Sequence, residues 1–318
     1  MDKNRKILIS ILALLVLSAV LAVIDISMRM RGAQRERFTL AVPGVGPGVG
    51  IVRINGPIEM AGSEGGFAIS SGGAEAVIQR LSALEADSRI RAVVVRINSP
   101  GGTVAATQEI YQKLMRLRRR NIVLVASLGD IAASGGYYIA SACNYIVTNQ
   151  GTLTGSIGVI AVSPNLQGLF QKLGIKMNVI KSGAYKDILS SYRDLTPEER
   201  ELIQVLIDSS YNQFLKDVAR GRNLGIDDIR PYADGRVMSG DMAVKYKLAD
   251  EIGSFERAVE KARKKAKLPE DAPVYDEQRS PLDQFLMTLE GAVLNRSGLQ
   301  NRVMRYRGGY MIEYRYQP

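Results

Sequence analysis

The 318-residue chain has no histidine, no tryptophan and one cysteine. The missing histidine excludes a Ser-His-Asp triad, a Cys-His dyad and any zinc site with imidazole ligands. A single cysteine excludes an internal disulfide and a multi-cysteine zinc site. It does not report the redox compartment, because a chain without a pair of thiols is indifferent to it. If the protein is an enzyme, its base must be Lys, Asp, Glu, Tyr or a water. Aromatic residues are sparse, and they interleave with basic ones only in the C-terminal tail, so nucleic-acid binding is not expected.

What is present is the composition of a folded protein, 46% hydrophobic and 23% charged. The length suits about two domains, or one α/β domain with appendages. The formal charge of +10 invites a nucleic-acid or acidic-membrane partner. It is scattered in blocks, however, with no single basic stripe. Residues 1–37 hold seven basic residues against three acidic ones, and further clusters lie at Arg116–Arg120 and Lys261–Lys267.

Ile7 to Ile24 is an uncharged apolar run of 18 residues, just long enough to cross a bilayer core. A buried core helix seldom lacks any polar face. A signal peptide cleaved near Val20-Leu21-Ala22 would normally have a shorter apolar stretch. The run is therefore expected to be an uncleaved anchor. Charge alone leaves its orientation open, since three basic side chains precede it and four follow.

The chain divides into a stub and anchor (1–28), a linker (29–48) ending in the Pro/Gly-rich AVPGVGPGVG, a folded domain (49–268) and a tail (269–318). Strands are expected at Val49–Ile58, Arg89–Ile97, Ile122–Ser127, Tyr145–Thr148 and Met177–Ile180. Helices are expected at Gly73–Ala86, Thr103–Arg119, Ala133–Ala142, Thr196–Gly221 and Phe255–Lys267. The β-branched AVVVRI within Arg89–Ile97 reads as a strand buried on both faces. Thr196-Pro197-Glu198-Glu199 is a capping box with Pro at the first helical position. The alternation of β and α argues for an α/β domain with mostly parallel strands, with Gly and Ser at the carboxyl ends where such folds bind ligands.

Four segments could carry chemistry. In Gly129–Tyr138, Ser134 lies on a strand-to-helix turn flanked by small residues, where its hydroxyl would be exposed beside free backbone N–H groups. It could equally be a helix cap. Asn98–Gly102 follows a buried strand, and its glycines could offer a further N–H donor or form a plain turn. Lys186, in Lys181–Ser190, could act as a base if burial lowered its pKa from near 10.4, or it could be a surface lysine paired with Asp187. The hydroxyls of Gly151–Gly158, Ser156 among them, could hold a lysine ammonium group or serve only as turn residues. In the tail, YMIEYRY (Tyr310–Tyr316) alternates as an extended strand would. Such a strand beside a protease groove could occupy a neighbour's site and be trimmed, or simply pack at an edge.

Taken in order, VVRINSPGGTV, SLGDIAASGGYYIASA, GTLTGSIGVI and SGAYKDILSSYRDLTPEE resemble the short bacterial form of the signal peptide peptidase A family. These are membrane-anchored Ser-Lys peptidases related in fold to crotonases and Clp proteases. The resemblance covers about residues 47–268 and the anchor. It implies a repeated ββα superhelix, with Ser134 as nucleophile, Lys186 as general base and Ser156 bonding the lysine. The N–H groups of Gly101 and Gly135 would form the oxyanion hole, and no cofactor or metal is implied. It further implies peptide substrates, signal peptides among them, and the cytoplasmic membrane as partner. The implied assembly is a homo-oligomeric ring in which serine and lysine need not come from one chain, with the catalytic domain on the extracytoplasmic side. Ser190-Ser191 stands where many members have Ser-Pro. A crotonase-like hydratase or isomerase acting on acyl-CoA, and a membrane-anchored non-enzymatic scaffold, are the alternative readings.

Overall fold

In the computed structural model, residues 46–60, 73–276 and 312–315 are described. Strand β2 (Ile90–Ser99) shows how the sequence builds the centre. Its residues alternate between two apolar layers: Val93, Val95 and Ile97 face one, Ala92 and Val94 the other. The same two-residue period runs through β1 (Gly48–Asn55) and β4 (Val123–Ala133). Helices α1 (Ala74–Ala86) and α2 (Val104–Arg119) cover the first face through Val77, Leu81, Leu84, Ile110, Leu114 and Leu117. Helix α8 (Phe255–Lys265) covers the second through Ala258, Val259 and Ala262. Each fully buried Val, Ile or Leu contributes roughly 1.5–3 kcal/mol, which is why a run of β-branched residues is kept here.

The main sheet runs β10-β1-β2-β4-β5-β9, with β5 (Tyr145–Thr148), β9 (Glu251–Ile252) and β10 (Val274–Tyr275), and every pair along it is parallel. This is the parallel α/β arrangement expected from the sequence. Strand β4 is longer than expected: its first half pairs with β5, and its second half, Ile131–Ala133, pairs with β6 (Leu153–Gly155). Antiparallel to β6 lies β8 (Val237–Met238). Helix α3 (Gly135–Ser141) follows β4 directly and is wholly buried.

A second sheet forms from β3 (Gly101–Thr103), β7 (Ile160–Ala161) and the tail strand β11 (Ile312–Arg315). Strand β11 lies in the middle, antiparallel to both neighbours. Helix α4 (Gln167–Lys172) precedes the long α5 (Pro197–Arg222), followed by the short helices α6 (Ile226–Ile229) and α7 (Gly240–Lys245). Thr196 and Glu199 form the anticipated capping box on α5, and Asn223 closes it in the left-handed region.

Two expectations change. Met177–Ile180 is not a strand: it is exposed and unpaired with any sheet. Its apolar run satisfies the composition of a strand, but a strand needs an edge to bond to, and none reaches it among the described residues. The tail pattern weakens after Pro269, yet Val274 and Tyr275 pair with β1, and Tyr275 Oη donates to Gly46 O at 2.7 Å. The apolar run 7–24 lies outside the described residues. Among those described, no helix is long and apolar enough to cross a membrane.

Candidate active site

Strand β4 ends at Ala133 and α3 begins at Gly135, so Ser134 must turn the chain in one residue. It does so at φ 53°, ψ −116°, a conformation an L-residue holds only at a cost of order 1–3 kcal/mol. Its N–H donates to Gly155 O at 2.8 Å, and its carbonyl accepts from Tyr138 N at 2.8 Å. Two tyrosines of α3 anchor the turn further. Tyr137 Oη donates to Leu248 O at 2.8 Å, and Tyr138 Oη donates to the Asp217 carboxylate on α5. Ser134 sits at the amino end of α3, where partial positive charge gathers.

Gly135 is required there by close packing. A methyl group on it would lie 2.8 Å from Thr107 Oγ1 and 3.2 Å from both Gly101 Cα and Gly102 N. Thr107 Oγ1 is itself buried with no hydrogen-bond partner. Gly102 is pinned in the same way, since a Cβ on it would meet Ile58 O at 1.9 Å. The glycine turn therefore lies against the start of α3. Within it, Gly101 N–H donates to Ser99 Oγ at 3.1 Å. Thr103 N–H donates to Ile58 O at 2.8 Å, which aims the N–H of the preceding Gly102 to the opposite side, toward β11.

Ser156 is brought beside Ser134. Ala133 and Gly155 are register partners, so the two serines leave adjacent strands together. Ser156 is also at positive φ, 50°, and its N–H donates to Arg236 O at 2.8 Å. Both serines border a cavity of about 500 Å³ lined by Ile157, Val159, Ile160, Ile207 and Tyr211, with Asp208 and Asp234 at its polar side. Asp234 is paired with Arg236 at 2.6 Å. The sequence suggested an open hydroxyl at Ser134, but the residue is buried at the edge of this cavity, enclosed by α3 and β6.

Lys186 is not among the residues lining this cavity. It lies exposed on a turn, its N–H donating to Gly183 O at 3.2 Å. An unbroken stretch from Gln171 to Lys186 is exposed, and it includes Leu173, Ile175, Met177, Val179 and Ile180. Nor does Lys186 pair with Asp187. That carboxylate is taken by Arg193 at 2.7 Å and Lys181 at 2.6 Å, with Tyr192 Oη donating at 3.1 Å. Arg193, then Lys181, hold the Asp187 carboxyl far below the usual carboxylate range. These partners of Asp187, and the cavity wall from α5, carry no signal in the sequence beyond the capping box at Thr196.

The lone thiol is no alternative nucleophile. Cys143 is fully buried and burial pushes it up to about 12. Among the described residues, no cluster of acidic or sulfur side chains could hold a metal ion.

A serine on a strained turn, glycine backbones packed against it and an adjoining cavity are brought together on a mixed α/β domain. A Clp protease model matches residues 66–149, and a model of peptidase family S49 matches residues 116–269. A Synechocystis protein named "Putative protease slr0021" is 48% identical over 214 residues, covering 67% of this chain and 76% of that one. An Enterococcus faecium protein named "Putative signal peptide peptidase SppA" is 34% identical over 223 residues, 70% of this chain and 64% of that one. "Serine protease SPPA, chloroplastic" of Arabidopsis thaliana is 34% identical over 242 residues, 74% of this chain but 35% of its own length. The chain belongs to peptidase family S49.

Proposed function

We propose that the protein is a membrane-anchored serine endopeptidase working through a Ser134–Lys186 dyad on unfolded, largely apolar peptides, remnant signal peptides among them. The observation that carries this reading is β11. An extended segment runs between β3 and β7, antiparallel to both, with the nucleophile turn beside it. A groove that binds one extended chain by main-chain pairing on both sides suits a peptide substrate. The apolar cavity next to Ser134 suits an apolar side chain of that peptide.

In the proposed reaction, Lys186 removes the Ser134 proton and the alkoxide attacks the peptide carbonyl. The N–H of Gly135 and one from the Gly101–Gly102 turn stabilise the oxyanion. Gly101 N–H would first have to leave Ser99 Oγ, whereas the Gly102 N–H points to the side of β11, its nitrogen close to Gly135. Lys186 then protonates the leaving amine, and water releases the acyl group. Ser156, on the rim, would orient the lysine.

Lys186 is proposed to reach Ser134 from a neighbouring copy in a ring. Support comes from its position outside the cavity and from the exposed apolar stretch that bears it, which a second copy would cover. The domain from residue 49 to about 268 is proposed to be a repeated ββα superhelix, on the extracytoplasmic side of an anchor at residues 7–24, with 29–48 as linker. The test is cleavage of an apolar peptide library by the full-length chain. Ser134→Ala and Lys186→Ala should each abolish turnover with folding retained, and near-normal turnover in either rejects the dyad.

A further inference from the structure

Lys186 needs a fixed position and freedom from a counter-ion, and neither comes from its own contacts. Both come from the residue beside it. Asp187 is held by Arg193 in a two-point contact, Nε to Oδ2 at 3.0 Å and one terminal nitrogen to Oδ1 at 2.7 Å. The same guanidinium grips Glu199 in a second two-point contact, at 2.8 and 2.6 Å. Glu199 is buried and accepts the N–H of Thr196 at 3.0 Å in the capping box, so it belongs to the rigid first turn of α5. A chain of three side chains thus connects the end of a long helix to the residue following Lys186.

We infer that Arg193 is a positioning residue for catalysis: it brackets Asp187 to Glu199, which fixes the Lys186 turn on α5 and denies Lys186 its adjacent carboxylate. The inference rests on the reading of Lys186 as the base. Charge balance favours it. Asp187 and Glu199 are matched by Arg193 and Lys181, so Lys186 is left as the surplus cation of the cluster. A lysine bound to Asp187 would be held protonated, the wrong state for a base. Only arginine has a planar fork that can meet two carboxylates at once; a lysine in its place keeps the charge and loses the geometry.

The experiment is the rate and endpoint of fluorophosphonate labelling of Ser134 on the full-length chain, in wild type, Arg193→Gln, Arg193→Lys, Lys186→Ala and the double variant Arg193→Gln/Lys186→Ala. Arg193→Gln is expected to slow labelling by roughly 10²-fold, the scale of a misplaced or missing general base, while still reaching one label per chain. Arg193→Lys is expected to fall between, and the double variant to label no more slowly than Lys186→Ala alone. A reduced endpoint would mean partial misfolding, and Arg193→Lys, which keeps the charge, then decides. Wild-type rates in Arg193→Lys, or in Arg193→Gln, overturn the bracket. So does further slowing when Arg193→Gln is added to Lys186→Ala, because Arg193 would then act without the lysine. Wild-type labelling of Lys186→Ala instead rejects the dyad itself.

Discussion

Ser134 donates its backbone N–H to the carbonyl of Gly155, the residue before Ser156, at 2.8 Å. Two serines 22 positions apart in sequence therefore leave neighbouring parallel strands side by side, each at positive φ. Both are directed to the carboxyl ends of their strands, on the rim of one cavity. The sheet register, Ala133 against Gly155, makes the pair.

Gly135→Ala should be far more damaging than a surface glycine change. Its methyl group would press on Thr107 Oγ1 and on the Gly101–Gly102 turn, displacing a proposed oxyanion donor. The expected loss in kcat/KM is roughly 10²–10³-fold, the cost of one such donor. Steady-state kinetics beside a thermal melt check it, and a fall in Tm without loss of rate in the folded fraction would contradict the assignment.

Co-expression of Ser134→Ala with Lys186→Ala should restore activity that neither variant has alone. Mixed assemblies would hold some sites with an intact serine from one copy and an intact lysine from another. Recovery in the co-expressed sample, measured against a mixture of separately folded variants, supports a shared site. No recovery would put both groups of the dyad in one chain.

Ile180→Glu probes the exposed stretch directly. Ile180 is fully exposed and Val205 on α5 is 60% exposed, so in an isolated chain a charge at either costs little, within about 0.5 kcal/mol. If a second copy covers this face, Ile180→Glu should lower the molar mass seen by light scattering and abolish turnover, with circular dichroism unchanged. An unchanged mass and rate would remove this face from the assembly.

Acid should loosen the amino end of α5. The Arg193 guanidinium, followed by the Thr196 backbone N–H, holds the Glu199 carboxyl down at about 2, against near 4.3 in an unfolded chain. A lowered carboxyl stabilises the fold fully above the unfolded value, and that contribution is lost as pH falls through the folded one. Tm should therefore decline between about pH 4.5 and 2. Arg193→Gln should flatten the decline, and an identical decline in that variant would argue against the pair as its source.

Strand β11 can be tested by truncation. A segment lying in the groove is a competitor for substrate, so deleting residues 312–318 should raise the initial rate on added peptide. Intact-mass spectrometry offers a second view. If the tail is also cut, the active enzyme loses C-terminal residues that Ser134→Ala keeps. A truncated chain no faster than the full one would leave β11 without an inhibitory role.

Much of this protein is determined by the sequence alone. The lack of histidine leaves Lys, Asp, Glu, Tyr or a water as base, and the continuous β-branched run AVVVRI with the capping box at Thr196 anticipates the central strand and the long helix. The serine turn, the glycine turn and Lys186 are each visible as short motifs. Local pattern could not say which of them meet. Pairing at Ala133–Gly155 and the close approach of Gly102 to Gly135 join residues far apart in the chain, and such contacts follow from sheet register and packing, which no local motif encodes. For the same reason Met177–Ile180 looked like a strand: its residue types are right, but strand pairing depends on an edge that only the tertiary structure supplies or withholds. The tertiary structure also decided the partner of Asp187. Sequence proximity favours Lys186, one residue away, yet Arg193 binds it instead, because a guanidinium fixed to the first turn of α5 can offer two parallel hydrogen bonds to each of two carboxylates.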